Sequence, residues 1–134
     1  MSNELEYRTK IANRFVRFTG VGAIGTLAHY LSLVSLVEIV GLNAVAATCI
    51  GFIVGALINY KLNRRYTFES SVPHRIGLPR FLVIAAIGMV LNTSIMAVGT
   101  LLLKVHYLLL QVFATAVVLL WNFFGNHFWT FRHG

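Results

Sequence analysis

Two pairs of asparagines end the apolar parts of this chain, and both pairs have the same spacing. Asn59 and Asn63 return 63 residues later as Asn122 and Asn126, and a Thr-Phe dipeptide follows each pair. Residues four apart lie on one face of a helix. Amides are costly in hydrocarbon unless they find hydrogen-bond partners. The two pairs therefore either hold helices together or line a polar cavity, and the sequence leaves both alternatives open.

Basic residues stand at the ends of the same apolar segments. Arg17 begins the first segment, Arg80 recurs at the equivalent position of the second, and Lys61, Arg64 and Arg65 accompany the first asparagine pair. A guanidinium can hold a phosphate through two parallel hydrogen bonds. These five side chains are therefore candidates for binding a lipid phosphate. The alternative is that they only set topology or contact bulk anionic lipid.

Two polar residues, His29 and Asn92, occupy the same repeat position deep within apolar sequence. Each lies 12 residues beyond its arginine, which is about 18 Å of helix and near the middle of a bilayer. Polar groups within a span usually face the protein interior or a water-filled path. Uncharged donors and acceptors suit the hydroxyl groups of a sugar, so both residues are candidates for a polar cavity. Ordinary hydrogen bonding between helices is the alternative.

The segments that must position these residues are long and apolar. Hydrophobic residues make up 57% of the chain and charged residues 11%, with a mean hydropathy of +0.76, whereas an ordinary soluble domain is about one quarter charged. A membrane helix needs about 20 mostly apolar residues. Four stretches qualify, at about 18–40, 44–62, 81–103 and 107–128. The sequence predicts an all-α polytopic membrane protein with four transmembrane helices.

Short turns at 41–43 and 104–106 make each pair of helices a hairpin, so the helices form two tandem hairpin repeats within one domain, 1–134. Repeat 1 covers about 14–69 and repeat 2 about 77–132. The long polar connection is expected at 69–79, with Pro73, Gly77 and Pro79 as helix breakers. Basic residues cluster before the first span and between the second and third. The positive-inside rule therefore predicts cytoplasmic termini and parallel repeats.

Composition and motifs exclude several classes of function. The net charge of +7 arises beside hydrophobic segments, so we expect a membrane partner and no nucleic acid. Cys49 is the only cysteine, which excludes a disulfide within the chain and a cysteine metal cluster. The sequence contains no nucleotide loop, no nucleophile with a base and no paired catalytic carboxylates. We therefore expect no enzymatic activity, no cofactor and no metal.

The chain resembles the GtrA-like family of small bacterial membrane proteins. The resemblance covers about residues 14–132 and is carried by four parts of the sequence: Arg17-Phe18 with Gly20, Gly22 and Gly25; the run 59–68; Arg80-Phe81; and the run 122–131. It implies a bacterial inner-membrane protein that flips polyprenyl-phosphate-linked monosaccharides, such as undecaprenyl-phosphate glucose, for cell-surface polysaccharide synthesis. It also assigns the functional positions Asn59, Asn63, Arg64, Arg65, Asn122 and Asn126.

Two other hypotheses about the function remain open. Similar segments occur fused to polyprenyl-phosphate glycosyltransferases, which implies a non-catalytic platform that recruits or anchors such an enzyme. A small multidrug exporter also has four helices, but Glu38, the only acidic residue in a span, lies too near the outer end. Because four helices make a thin wall around a path, we expect a homo-oligomer and favour a dimer.

Overall fold

A computed structural model describes residues 1–132 and, for Val45, the backbone alone. The described residues form helices and contain no strand. The helix α1 covers Ser2–Ser35 and continues as a π-helical turn, Leu36–Val40. The helix α2 covers Ala44–Leu62 and continues as the π-helical turn Asn63–Thr67. The helix α3 covers His74–Leu101, and α4 covers Tyr107–Gly125 with the π-helical turn Asn126–Thr130 after it.

Four helices of the described chain are long and apolar enough to cross a membrane. This confirms the predicted all-α polytopic class. Large apolar side chains face outward from these helices: Leu27 is 58% exposed, Val90 64% and Val112 71%. In water such a surface would be unfavourable, whereas hydrocarbon solvates it. The described chain is therefore that of a multi-pass membrane protein.

The chain forms two compact units, each containing one helical hairpin. Unit one covers Met1–Glu69 and contains α1 and α2, and unit two begins at Ser70 and contains α3 and α4. Gly41 makes the first turn with a φ of +84°, in the left-handed region that favours glycine. The Asn43 side chain caps α2 by accepting from the Ala46 N–H at 2.9 Å. The predicted turns at 41–43 and 104–106 are confirmed.

The prediction that the polar connection extends to Pro79 is wrong. The helix α3 begins at His74, with Pro73 as its N-cap, so that Pro79 lies inside the helix. The Gly77 N–H donates to the Pro73 carbonyl at 2.9 Å, so a first turn closes before Pro79 is reached. Pro79 then removes one backbone bond, to the carbonyl four residues earlier. Membrane helices tolerate such a loss because neighbouring groups satisfy the freed carbonyl.

Small residues bring the two helices of the first hairpin into contact. A Cβ added to Gly55 would lie 2.7 Å from the carbonyl oxygen of Gly25, so the two backbones touch there. Close approach of this kind replaces the hydrophobic driving force that lipid does not supply. The repeat equivalent of Gly55 is Val118. Unit two therefore lacks this backbone contact and packs its helices through larger side chains.

The second hairpin also reverses the order of small and large residues at its helix contacts. Gly99 on α3 accommodates Leu110 on α4, since a Cβ at Gly99 would overlap the Leu110 side chain. The positions 63 residues earlier hold the large Leu36, in the π-helical turn after α1, and the small Ala47 on α2. A second contact of unit two pairs Gly125 with Ile84, and the positions 63 residues earlier hold Leu62 and Val21.

Candidate functional site

The first asparagine pair belongs to a chain of side-chain hydrogen bonds at the end of α2. Asn63 Nδ2 donates to Asn59 Oδ1, and Thr67 Oγ1 donates to Asn63 Oδ1 at 2.7 Å. Asn63 and Thr67 are buried, so these bonds offset the cost of placing their polar atoms away from water. The three residues lie four apart and satisfy one another along one face. This arrangement favours a structural role for Asn63.

The second asparagine pair occupies the equivalent positions but bonds differently. Asn126 Nδ2 donates to the backbone carbonyl of Asn122 at 2.7 Å. Within the described chain, Asn122 Oδ1, Asn126 Oδ1 and the Thr130 hydroxyl are buried and have no hydrogen-bond partner. A buried acceptor without a partner costs about 1–3 kcal/mol. Unit two therefore has three buried atoms that a water molecule or a ligand hydroxyl would stabilise.

Arg17 and Arg80 each cap the second helix of their own hairpin. Arg17 Nη1 donates to the Tyr66 carbonyl at 3.0 Å, and Arg80 Nη1 donates to the Trp129 carbonyl at 3.0 Å. The last carbonyls of a helix have no intrahelical donors and carry the negative end of the helix dipole. A guanidinium donates hydrogen bonds to these carbonyls, and its positive charge interacts favourably with the negative end of the dipole. Sequence reasoning missed this structural role, since only the folded hairpin brings donor and carbonyl together.

The aromatic residues at the same helix ends lie against these cations. The Arg80 guanidinium lies 5.4 Å from the ring centroid of Trp129, and the Arg65 guanidinium lies 5.3 Å from that of Tyr66. Such contacts orient a guanidinium and contribute about 0.5–1 kcal/mol at an exposed site. Of the remaining predicted cations, Lys61 is exposed and Arg64 is partly buried. Tyr66 and Trp129 therefore help to position the two arginines that they contact.

An open groove of about 550 Å³ lies beside Arg17 in unit one. Arg17 and Arg65 line it together with an apolar wall made by Gly20, Val21 and Ile24. Ligand sites commonly enclose about 300–1,000 Å³ and combine apolar surface with a few placed polar groups. The structure thus brings two of the predicted phosphate ligands into one groove. Two guanidinium groups beside an apolar wall can bind a phosphate and the first carbons of its lipid chain.

Glu69 is a carboxylate that sequence reasoning did not assign to the site. Its Oε1 lies 3.6 Å from Arg17 Nη1, and both side chains are more than half exposed. The residue has a φ of +46°, which is uncommon for a residue other than glycine. Its repeat equivalent is Arg132. Glu69 therefore competes with any anion for Arg17 in unit one, whereas the equivalent position in repeat 2 carries the opposite charge.

The two deep polar residues each hydrogen-bond to the second helix of their own hairpin. His29 Nε2 and Thr48 Oγ1 share a hydrogen bond of 3.2 Å. Gln111 Nε2 donates to Asn92 Oδ1 at 3.0 Å, between the equivalent repeat positions. Both residues therefore contribute interhelical bonds. Asn92 also lines an open cavity of about 390 Å³ in unit two, together with Asn122.

The repeated geometry agrees with a comparison against known families. The sequence model of the GtrA/DPMS transmembrane domain matches residues 17–131. The matched region starts at Arg17, ends at Phe131 and includes both asparagine pairs and both capping arginines. No curated protein and no solved structure matches the chain significantly. Since the match covers most of the chain and all four apolar helices, the chain belongs to the GtrA/DPMS transmembrane-domain family.

Proposed function

We propose that this protein translocates polyprenyl-phosphate-linked monosaccharides across the bacterial inner membrane, for the synthesis or modification of cell-surface glycans. Membership of the GtrA/DPMS family supports lipid-linked sugar translocation in general. The observation that carries the proposal is the groove in which Arg17 and Arg65 stand beside an apolar wall. A lipid phosphate needs both surfaces, because its anion requires guanidinium donors and its first isoprene units require apolar contact.

In this proposal the phosphate binds first and the sugar crosses through polar surroundings. Arg17 keeps one N–H on the Tyr66 carbonyl and has further guanidinium N–H groups for phosphate oxygens. Within unit two, Asn92 and Asn122 line an open cavity and supply polar groups for sugar hydroxyls. The polyprenyl chain stays in lipid. Movement is passive or driven by consumption of the sugar on the far side.

The proposal also includes the orientation and the remaining site positions expected from the sequence. The termini lie in the cytoplasm, the two repeats are parallel, and a homodimer encloses the path. Further cations and polar groups extend the lipid-phosphate site and the polar cavity: Lys61, Arg64, Arg80, Asn59, Asn63, His29 and Asn92.

A liposome assay tests the proposed activity. Purified protein is reconstituted with polyprenyl-phosphate glucose, and a membrane-impermeant oxidant reports the sugars exposed in the outer leaflet. We expect the wild-type protein to expose the inner pool and Arg17→Ala to slow this exchange at least tenfold. Arg75→Ala is the matched control, because Arg75 is an exposed arginine on α3 outside the Arg17 groove. Folded wild-type protein that binds the lipid without moving it would refute translocation.

That refuting outcome would favour the second candidate, a membrane platform for a polyprenyl-phosphate glycosyltransferase. One observation favours this function: α1 extends well beyond the residues matched by the family and exposes Leu5, Tyr7 and Val16. The exposed side chains of this part of α1 offer surface for contact with another protein. A platform predicts that replacing these three residues by serine abolishes recruitment of the transferase, whereas a flippase predicts unchanged lipid exchange.

A further inference from the structure

The helix α1 is much longer than a membrane crossing requires. Its 34 residues rise about 1.5 Å each and so extend about 51 Å, whereas a hydrocarbon core is about 30 Å thick. The apolar span begins near Phe18, so the helix continues for about 16 residues, or roughly 24 Å, outside that span. This extension precedes the region matched by the family. Family membership therefore assigns no role to this extension.

A second open groove, of about 570 Å³, lies along the extension in unit one. Glu6, Thr9, Lys10 and Asn13 contribute to it from α1, and their spacing of three and four places them on one helix face. The described residues that line this groove are all polar or charged. Its volume is that of a ligand site, and its carboxylate, amide and hydroxyl groups offer both donors and acceptors.

This polar groove shares two residues, Arg17 and Glu69, with the groove described above that has an apolar wall beside Arg17. A phosphate held by Arg17 therefore borders an apolar wall, which includes Ile24, and a polar wall, which includes Asn13. A glycosylated phosphodiester lipid has the same order of parts, because its phosphate lies between a hydrocarbon chain and a hydroxyl-rich sugar. The order of the two grooves along α1 thus matches the order of groups along the lipid.

We propose that the polar groove is the subsite for the sugar, and that it selects a neutral, hydroxyl-rich head group on a phosphodiester. The inference rests on the proposed function. The Glu6 carboxylate can accept two hydroxyl hydrogens, and the Asn13 amide can both donate and accept. Both residues precede the region that the family model matches.

The charges of the polar groove suit a phosphodiester. Its described lining includes three cations, Lys10, Arg14 and Arg17, and two carboxylates, Glu6 and Glu69, which leaves one net positive charge. A phosphodiester carries one negative charge and balances it.

Binding to protein in nanodiscs tests the subsite. The probes are bare polyprenyl phosphate and its esters with glucose, galactose and N-acetylglucosamine. We expect the wild type to bind at least one ester more tightly than the bare lipid. Asn13→Ala and Glu6→Gln should reduce that preference about threefold to tenfold, as expected for one hydrogen bond, and Asn13→Ala, which removes no charge, should leave affinity for the bare lipid unchanged. Glu4→Gln is the matched control, since Glu4 pairs with Arg8 instead.

The outcomes separate this inference from the proposed function. Equal binding of all four lipids, or equal effects of Glu6→Gln and Glu4→Gln, would overturn the sugar subsite. If Arg17→Ala still weakened every lipid in that case, the phosphate site and the proposed function would stand. Failure of folded wild-type protein to bind any of the lipids would refute both the sugar subsite and the proposed function.

Labelling of an introduced cysteine gives a second readout that does not depend on a loss of affinity. Asn13→Cys in a Cys49→Ser background is treated with a water-soluble maleimide. We expect the glycosylated lipid that binds best to slow labelling at least threefold more than bare polyprenyl phosphate does. Arg8→Cys in the same background is the control and should label equally with either lipid. Equal protection of position 13 by both lipids would overturn the subsite.

Discussion

Replacing Glu69 by glutamine should strengthen the binding of bare polyprenyl phosphate. The Glu69 carboxylate lies 3.6 Å from the Arg17 guanidinium and lines both grooves that meet at this arginine. A bound phosphate must compete with the carboxylate for Arg17 and also experiences repulsion from it. Glutamine removes the negative charge while keeping a similar side-chain length and an acceptor oxygen. The variant therefore isolates the electrostatic contribution of Glu69.

The expected magnitude follows from the distance and the exposure. Two unit charges about 4 Å apart interact by about 1 kcal/mol in water, and exposed pairs usually contribute about 0–1 kcal/mol. Both partners here are more than half exposed, so about 0.6–1 kcal/mol is available, which corresponds to a threefold to fivefold gain in affinity. At 1 M salt the Debye length is about 3 Å, and the gain should nearly vanish.

The assay is lipid binding in nanodiscs at low salt and at 1 M salt. Glu4→Gln is the control, because it removes the same charge from an exposed pair on α1, in which Arg8 lies 2.6 Å from Glu4. We expect this control to change affinity by less than about 1.5-fold, since Glu4 is not the partner of Arg17. An unchanged or weaker affinity of Glu69→Gln at low salt would refute the competition between Glu69 and phosphate. A gain that persisted at 1 M salt would refute its electrostatic origin.

Three further predictions concern stability, each measured by thermal unfolding in detergent. Arg80→Ala should cost about 1 kcal/mol, because it removes the exposed charge-assisted bond to the Trp129 carbonyl; no loss would exclude a capping role. Gly51→Ala should cost about 1–3 kcal/mol, since a Cβ would lie 2.7 Å from the His29 ring, whereas Gly20→Ala, with nothing within 4 Å, should change stability little. Asn63→Leu should cost about 1 kcal/mol more than Asn126→Leu, because Asn63 bonds through both its amide nitrogen and its oxygen; equal losses would contradict this reasoning.

The helices were predictable where local chemistry decides them. The helix α2 covers Ala44–Leu62, as predicted, because Gly41 and Asn43 supply a turn and a cap next to an apolar run. The effect of Pro79 was predicted wrongly. A proline ends a helix only when the loss of its backbone hydrogen bond is not compensated, and the local sequence does not show whether neighbouring groups compensate it. The extension of α1 was missed for a similar reason. The first span was predicted from about residue 18, because apolar composition marks a crossing but does not show that the polar residues before it continue the helix.

The site was predictable in its residue positions but not in its bonds. The repeat identified Arg17 and Arg80 as equivalent, and both make the same contact. The two asparagine pairs are also equivalent in sequence, yet the oxygens of one pair are bonded and those of the other lack partners in the described chain. Identical residues differ here because hydrogen bonding depends on side-chain rotamers and neighbours. Spacing alone does not determine either.

At one pair of equivalent positions, the two hairpins differ in which of their segments carries the small residue. A chain with two related hairpins risks misassembly during insertion, since α1 resembles α3 and α2 resembles α4. Pairing α1 with α4 would set Leu36 against Leu110, and pairing α3 with α2 would leave Gly99 facing Ala47. The first combination clashes and the second leaves a void. Divergence between the repeats at these positions thus disfavours mismatched hairpins.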